Sequence, residues 1–121
     1  VPNDGSDLQE YCFENQMIPD RFWIAYPDHI SYFNYESLKS IAEFTAWKLA
    51  DIIADFPIDL YLMHPGSNYV VEKQNGKAAH RARIASELLL SNRNIEEVVN
   101  YYRSMAKIGL GRSLTMFLIN S

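Results

Sequence analysis

Residues 34–57 read NYESLKSIAEFTAWKLADIIADFP, the stretch with the clearest periodicity in the chain. Its apolar side chains recur at intervals of three and four residues, as they do along one face of an α-helix. Asn34 can cap the first turn, and Pro57 is typical of a helix exit. The pattern therefore predicts one long helix over residues 35–55. The stripe expected to face the core consists of Leu38, Ile41, Ala42, Thr45, Leu49, Ile52, Ile53 and Phe56.

Short aromatic and β-branched runs before and after this helix predict strands. One lies within residues 22–33, where Phe-Trp-Ile-Ala-Tyr is followed by Pro-Asp and a weaker alternation. Residues 58–63 and 67–73 flank a Pro-Gly loop, an arrangement that favours a hairpin. The apolar run at 113–119 favours a strand by composition, although Ser113 could also cap a short helix. We expect a small antiparallel sheet of three to five strands.

Helical patterns occupy both ends of the chain as well. Ser6 can cap a helix over residues 7–16, and residues 77–90 form an alanine-rich helical stretch. Asn94 and Glu97 then form a capping box for a helix that we expect to run to Lys107 and to end before Gly109. The predicted fold class is thus α+β, with the sheet packed on one long helix and a C-terminal helical hairpin.

The hairpin carries a recognisable motif. A leucine-rich helix ending at Leu90 leads through a short turn into Ile95-Glu96-Glu97-Val98. This arrangement resembles the first helix-turn-helix unit of the AraC-type regulators, and it implies helix-turn-helix geometry for this part of the chain. The pattern departs from that family at Arg103-Ser104, where the family has Gly-Phe. We expect the apolar residues of the two helices to face each other, namely Ile84, Leu88 and Leu89 against Ile95, Val98, Val99 and Tyr102.

Length and composition fit one domain spanning residues 1–121, and an apolar share of 48% is ordinary for a globular protein. A start at Val1 leaves open whether the chain was processed or cut from a longer one. The polar first residues lack the pattern of a secretory signal, and no window has the apolar length of a membrane span. A single cysteine, Cys12, allows no internal disulfide and favours a reducing compartment. The predicted location is the cytoplasm, without membrane contact.

Charge is distributed unevenly along the chain. Residues 1–71 carry a formal charge of −8 and residues 72–121 carry +4, within a total of −4. Such asymmetry indicates contact with a polyanion or self-association to a homodimer, unless the two halves simply pack together and neutralise each other. We call the basic residues at the start of the second half the basic set. Its members are Lys73, Lys77, His80, Arg81, Arg83 and Arg93.

Evidence for chemistry is weaker. His64 lies in the Pro-Gly loop, and Asp28-His29 in an earlier turn could approach it to give an acid and a base. The histidines and the cysteine lack the spacing of a metal site, and no cofactor-binding motif is present, so neither metal nor cofactor is predicted. We therefore predict a non-enzymatic regulatory or accessory interaction module that binds an acidic protein or nucleic acid through the basic set. The alternative is a small hydrolase-like or ligand-binding domain with a His64 pocket.

Overall fold

The computed structural model describes residues 1–120. Four α-helices and two β-strands follow one another along the chain. They are α1 (Asp7–Glu14), α2 (Tyr35–Phe44), β1 (Lys48–Ala54), α3 (Gly76–Ser91), α4 (Ile95–Lys107) and β2 (Leu114–Ile119). Two 3-10 helices, Ile58–Met63 and Lys73–Asn75, lie between β1 and α3. No helix in the described part of the chain is long and apolar enough to cross a membrane.

The prediction of one long helix over residues 35–55 is wrong in its second half. The helix begins as expected, because Asn34 and Ser37 cap each other's backbone, but α2 ends at Phe44. Ala46 has a left-handed backbone with φ +57°, which a continuous right-handed helix does not allow. The residues that follow form β1 instead. An apolar run as short as residues 48–54 fits the period of a strand as well as that of a helix. The spacing of its apolar residues alone therefore could not distinguish the two.

The prediction of a three- to five-stranded sheet is also wrong. Within residues 1–120 the only sheet is the antiparallel pair of β1 and β2, running from Lys48 opposite Ile119 to Ala54 opposite Leu114. Residues 22–33 consist of turns and irregular backbone, apart from an isolated bridge at Phe33, and residues 67–72 do so as well, up to the 3-10 helix that begins at Lys73. Of the predicted strands, only the C-terminal one is present. The mixed α+β class is retained.

Residues 58–63 show why alternation misled the prediction. The pattern placed Ile58, Leu60 and Leu62 on one side of a strand, but the residues that are buried are Asp59 and Leu62. Side chains three apart lie one above the other in a 3-10 helix, so this conformation sends both into the interior. Asp59 is a buried acid whose carboxylate accepts hydrogen bonds from Gln9 and Tyr69 there.

The interior consists of two apolar clusters. The first joins α1 to the 3-10 helix at 58–63, and its buried members are Leu8, Cys12, Ile18, Trp23 and Leu62. The second lies where α2 and α4 pack on the sheet, and its buried members are Leu38, Ile52, Ala54, Ala106 and Leu114. Neither cluster includes a residue of α3, which leaves that helix on the periphery.

Candidate interaction surface

α3 has little of its surface in the interior. Ala79 is its only buried residue, and it sits on the side that contacts the 3-10 helix at 58–63. Arg83, Ser86, Glu87 and Leu90 flank this side and are half-buried. The opposite side of the helix is exposed along its whole length. α3 therefore presents a continuous face to solvent, which we call the α3 face.

Four members of the basic set lie at the beginning of the α3 face. Lys77 and Arg81 are one helical turn apart and both exposed, and His80 lies beside them. Lys73 belongs to the 3-10 turn that leads directly into α3, and it is exposed too. Positive charge is thus concentrated around the first two turns of the helix. α3 has no acidic residue in its first turn that would neutralise this charge.

Arg83 and Arg93 lie elsewhere. Arg83 points to the half-buried side of α3, where its Nη2 donates to Nδ1 of His80 at 3.1 Å. Because an arginine can only donate, Nδ1 of His80 is the acceptor in this contact. Arg93 is exposed in the turn between α3 and α4, beyond the end of α3, which itself lies about 15 Å from Arg81 along the helix axis at 1.5 Å per residue. The basic set therefore does not form one ridge.

The second half of the α3 face is apolar. Ile84 is 40% exposed, Leu88 60% and Leu89 55%, and Ile95 at the start of α4 is 73% exposed. The expectation that these side chains pack within the hairpin is wrong, since among the facing residues of α4 only Val98 is buried. Lys77, Arg81, Ile84 and Leu88 follow one another at i, i+4, i+7 and i+11, so they share one face. Basic and apolar chemistry are consequently adjacent on a single exposed surface.

His64 lies in the predicted loop, but its ring is used locally. Nδ1 of His64 accepts from the backbone N–H of Gly66 at 3.0 Å and closes the turn. Nδ1 of His29 lies 3.8 Å from Oδ2 of Asp4, and its ring lies beside that of Tyr32 with an angle of 60° between the ring planes. Among residues 1–120 no hydrogen bond or ion pair joins His64 to Asp28 or His29. The acid-base pair of the alternative function is therefore not assembled here, and that function remains a prediction.

A groove of about 390 Å³ runs past the same loop. Its walls are mainly apolar and come from residues 16–17, just after α1, and from residues 62–72, with Met17, Leu62, Met63, Pro65 and Val71 among them. Asn68 at its base is buried and fully engaged. Its amide donates to the carbonyls of Met17 and Leu62 and accepts from two backbone N–H groups. The groove thus has mainly apolar walls, and its remaining polar lining comes from the exposed side chains of Gln16 and Glu72.

Sequence reasoning missed a buried polar cluster around Asp59. Gln9 Nε2 donates to one oxygen of this carboxylate at 3.0 Å, the hydroxyl of Tyr69 donates to the other, and Nε of Arg112 lies 3.8 Å away. Burial raises the pKa of Asp59 above its usual range despite these donors, and burial with the Asp59 charge raises the pKa of Tyr69. Asp59 is 1% exposed, so the cluster is closed to substrates and joins α1 to the rest of the fold. No spacing in the sequence marks it.

Within residues 1–120, no group of three or more His, Cys, Asp or Glu side chains is arranged to hold a metal ion. The α3 face is thus the exposed feature with the most distinctive chemistry. Comparison with known proteins adds no relative, because no family model, curated protein or solved structure matches the chain.

Proposed function

We propose that this chain is a non-enzymatic interaction module that binds an acidic partner protein through the α3 face. The observation that carries the proposal is the juxtaposition of Lys77 and Arg81 with Ile84 and Leu88 on one exposed side of a helix that contributes only Ala79 to the interior. Contiguous exposed apolar side chains with a charged border are typical of protein-binding surfaces.

The apolar half favours a protein over nucleic acid as the partner. The phosphates of a nucleic acid would pair with the basic half of the α3 face. They would leave Ile84, Leu88 and Leu89 without apolar contacts. Glu96 and Glu97 lie in the first turn of α4, close to the apolar half, and would repel phosphates. An amphipathic helix with acidic residues at one end and leucines at the other complements the α3 face in both halves.

A designed peptide tests the proposal. The probe is a fluorescent amphipathic helical peptide with Glu residues in its first turns and Leu residues along one face, and binding is measured by fluorescence anisotropy at low and high salt. We expect the double variant Lys77→Glu/Arg81→Glu to weaken binding by about tenfold or more and to reduce its salt dependence. Leu88→Gln should weaken binding without changing the salt dependence.

The matched control is Lys39→Glu/Lys48→Glu, which makes the same change of charge at two exposed lysines outside α3. It should retain binding. A scrambled peptide and short duplex and single-stranded DNA serve as competitors. The proposal is overturned if the control double variant loses as much affinity as the α3 variant, or if DNA binds more tightly than the peptide.

A further inference from the structure

Two grooves adjoin each other where the chain leaves α1. The first is the groove of about 390 Å³ beside the His64 loop, and the second has a volume of about 440 Å³. They share the lining residues Gln16, Met17 and Val71, so they form one continuous surface. The second groove is otherwise lined by Phe13, Ile18 and Pro19. We call the joined surface the α1 groove.

Apolar side chains line the α1 groove and are partly exposed to solvent. Met63 is 42% exposed and Val71 55%, and Phe13 and Met17 are half-buried. Methionine side chains are flexible and polarizable, and they are common on surfaces that adapt to a partner. Neighbouring exposed apolar side chains of this kind are typical of binding surfaces.

The charge around the α1 groove is negative. Glu72 belongs to its lining. Residues 10–21 and 72–73 together carry four acids and two bases. One of the bases, Arg21, is already paired with Glu10 at 3.0 Å. A helix that presents basic and apolar side chains on one face therefore complements this groove.

We infer that the α1 groove of one copy of this chain binds the α3 face of a second copy. Lys77 and Arg81 supply the basic side chains of that face, and Ile84 and Leu88 supply the apolar ones. The inference rests on the proposed function, because it uses the α3 face as a protein-binding surface, and it identifies the acidic partner as the chain itself.

The distribution of charge along the chain favours a second copy over an unrelated helix. The α1 groove is built almost entirely from residues 1–71, which carry −8, whereas α3 belongs to residues 72–121, which carry +4. Contact between the two surfaces therefore brings opposite charges together. Within one molecule the α3 face is exposed and does not occupy the groove of its own chain. Because the contact joins two different surfaces, every copy can donate its α3 face and accept another.

Mixing two complementary variants tests the inference. Lys77→Glu/Arg81→Glu changes the α3 face and leaves the α1 groove intact, whereas Met63→Lys/Val71→Lys places positive charge in the groove and leaves the α3 face intact. In sedimentation velocity the wild type should associate reversibly, and less at high salt. Each double variant alone should have a dissociation constant raised by about tenfold or more. An equimolar mixture of the two should form a 1:1 dimer, since it keeps one intact contact.

The matched control is Ile30→Lys/Phe44→Lys. It makes the same change of charge at two apolar side chains that are 82% and 92% exposed and lie outside the α1 groove. This variant should associate as the wild type does. A wild type that is monomeric at all concentrations, a control that dissociates as much as the groove variant, or a mixture that remains monomeric overturns the inference.

The designed peptide separates this inference from the proposed function. Met63→Lys/Val71→Lys should bind the peptide at least as tightly as the wild type, because its α3 face is intact and unoccupied. Excess peptide should dissociate the wild-type assembly, because both compete for the α3 face. Peptide binding by a wild type that stays monomeric would overturn the inference and leave the proposed function standing. Self-association with restored dimers in the mixture, but without peptide binding, would do the reverse.

Chemical cross-linking supports the same contact without a disruptive variant. A bis-maleimide added to a mixture of Val71→Cys and Leu88→Cys should give covalent heterodimers. A mixture of Val71→Cys and Phe44→Cys should give far fewer, and the wild type none, since Cys12 is buried. Equal yields from the two mixtures would contradict the contact between the α1 groove and the α3 face.

Discussion

α3 and α4 are neighbours in sequence and similar in appearance, yet the fold uses them in different ways. α4 buries Val98 and Ala106 and packs along β1. The guanidinium of Arg103 on α4 also donates hydrogen bonds to both carboxylate oxygens of Asp51 in β1, at 2.7 to 3.1 Å. α3, although longer, buries Ala79 alone. An amphipathic pattern therefore identifies a helix but does not determine whether its apolar side faces the interior or a partner.

The ends of the two helices differ as well, since those of α4 are better capped than those of α3. The side chain of Asn94 caps α4, and acidic residues in its first turn and Lys107 in its last turn complement the helix dipole. α3 has no side-chain cap at its beginning and no charge arrangement of this kind. α4 is stabilised by its capping residue and terminal charges and by packing on the sheet. α3 has neither a side-chain cap nor such charges, and it buries less of its surface. This is compatible with a helix whose residues serve an exposed surface.

The largest expected difference between the helices comes from enlarging one alanine in each. Ala106→Leu should reduce the free energy of unfolding by about 1–3 kcal/mol, because Ala106 is 0% exposed within the second apolar cluster, where a larger side chain would overpack its neighbours. The same substitution at Ala85 on the α3 face should change it by less than about 0.5 kcal/mol. Urea denaturation of both variants measures this. Equal losses would contradict the division between a packed helix and an exposed one.

Local signals accounted for the helices that carry them. The N-caps at Ser6, Asn34 and Asn94 are present where the sequence predicted them, although Asn94 caps α4 without the reciprocal contact from the Glu97 side chain that a capping box requires. β1 could not be predicted in the same way. Residues 48–54 are extended because they pair with β2, which lies some sixty positions further along the chain. This long-range pairing outweighs the helical spacing of the apolar residues, and no local sequence signal near Lys48 predicts it.

The sequence identifies the residues of the candidate surface but only part of their spatial arrangement. The spacing of Lys77 and Arg81 on one helical face follows from the sequence, and the structure places both there. The exposure of Leu88 does not follow, because leucines at helical spacing are usually buried in a core. The partners of Asp59 come from α1 and from residues 69 and 112, so only the tertiary fold brings them together.

A smaller effect concerns the ion pair that ties α4 to the sheet. Hydrogen bonds from Arg103 hold the pKa of Asp51 below its usual range in the folded protein. The stability from this pair is therefore fully present above the unfolded pKa, about 4, and is lost as the pH falls through the lower folded pKa. Urea melts from neutral to acidic pH should show a steeper loss in the wild type than in Asp51→Asn.

The raised pKa of Asp59 acts in the opposite direction, since it contributes stability at low pH that is lost as the pH rises. Asp59 is present in both proteins of that experiment, so the difference between their pH profiles isolates Asp51. α3 has no corresponding ion pair to the sheet among the described residues. Parallel profiles for the wild type and Asp51→Asn would mean that the pair does not stabilise the contact between α4 and β1.

The smallest expected effect on stability is at Leu88, where the comparison is sharpest. Its side chain is 60% exposed, so Leu88→Gln should change the free energy of unfolding by less than about 0.5 kcal/mol. Val98→Ala in α4 is the matched change, and it should destabilise the fold more, because Val98 is buried. Urea melts of the two variants, with peptide binding measured on the same samples, distinguish an apolar residue that stabilises the interior from one that binds a partner. If Leu88→Gln destabilises the protein as much as Val98→Ala does, Leu88 belongs to the interior in solution. The α3 face would then lose the apolar half on which the choice of a protein partner depends.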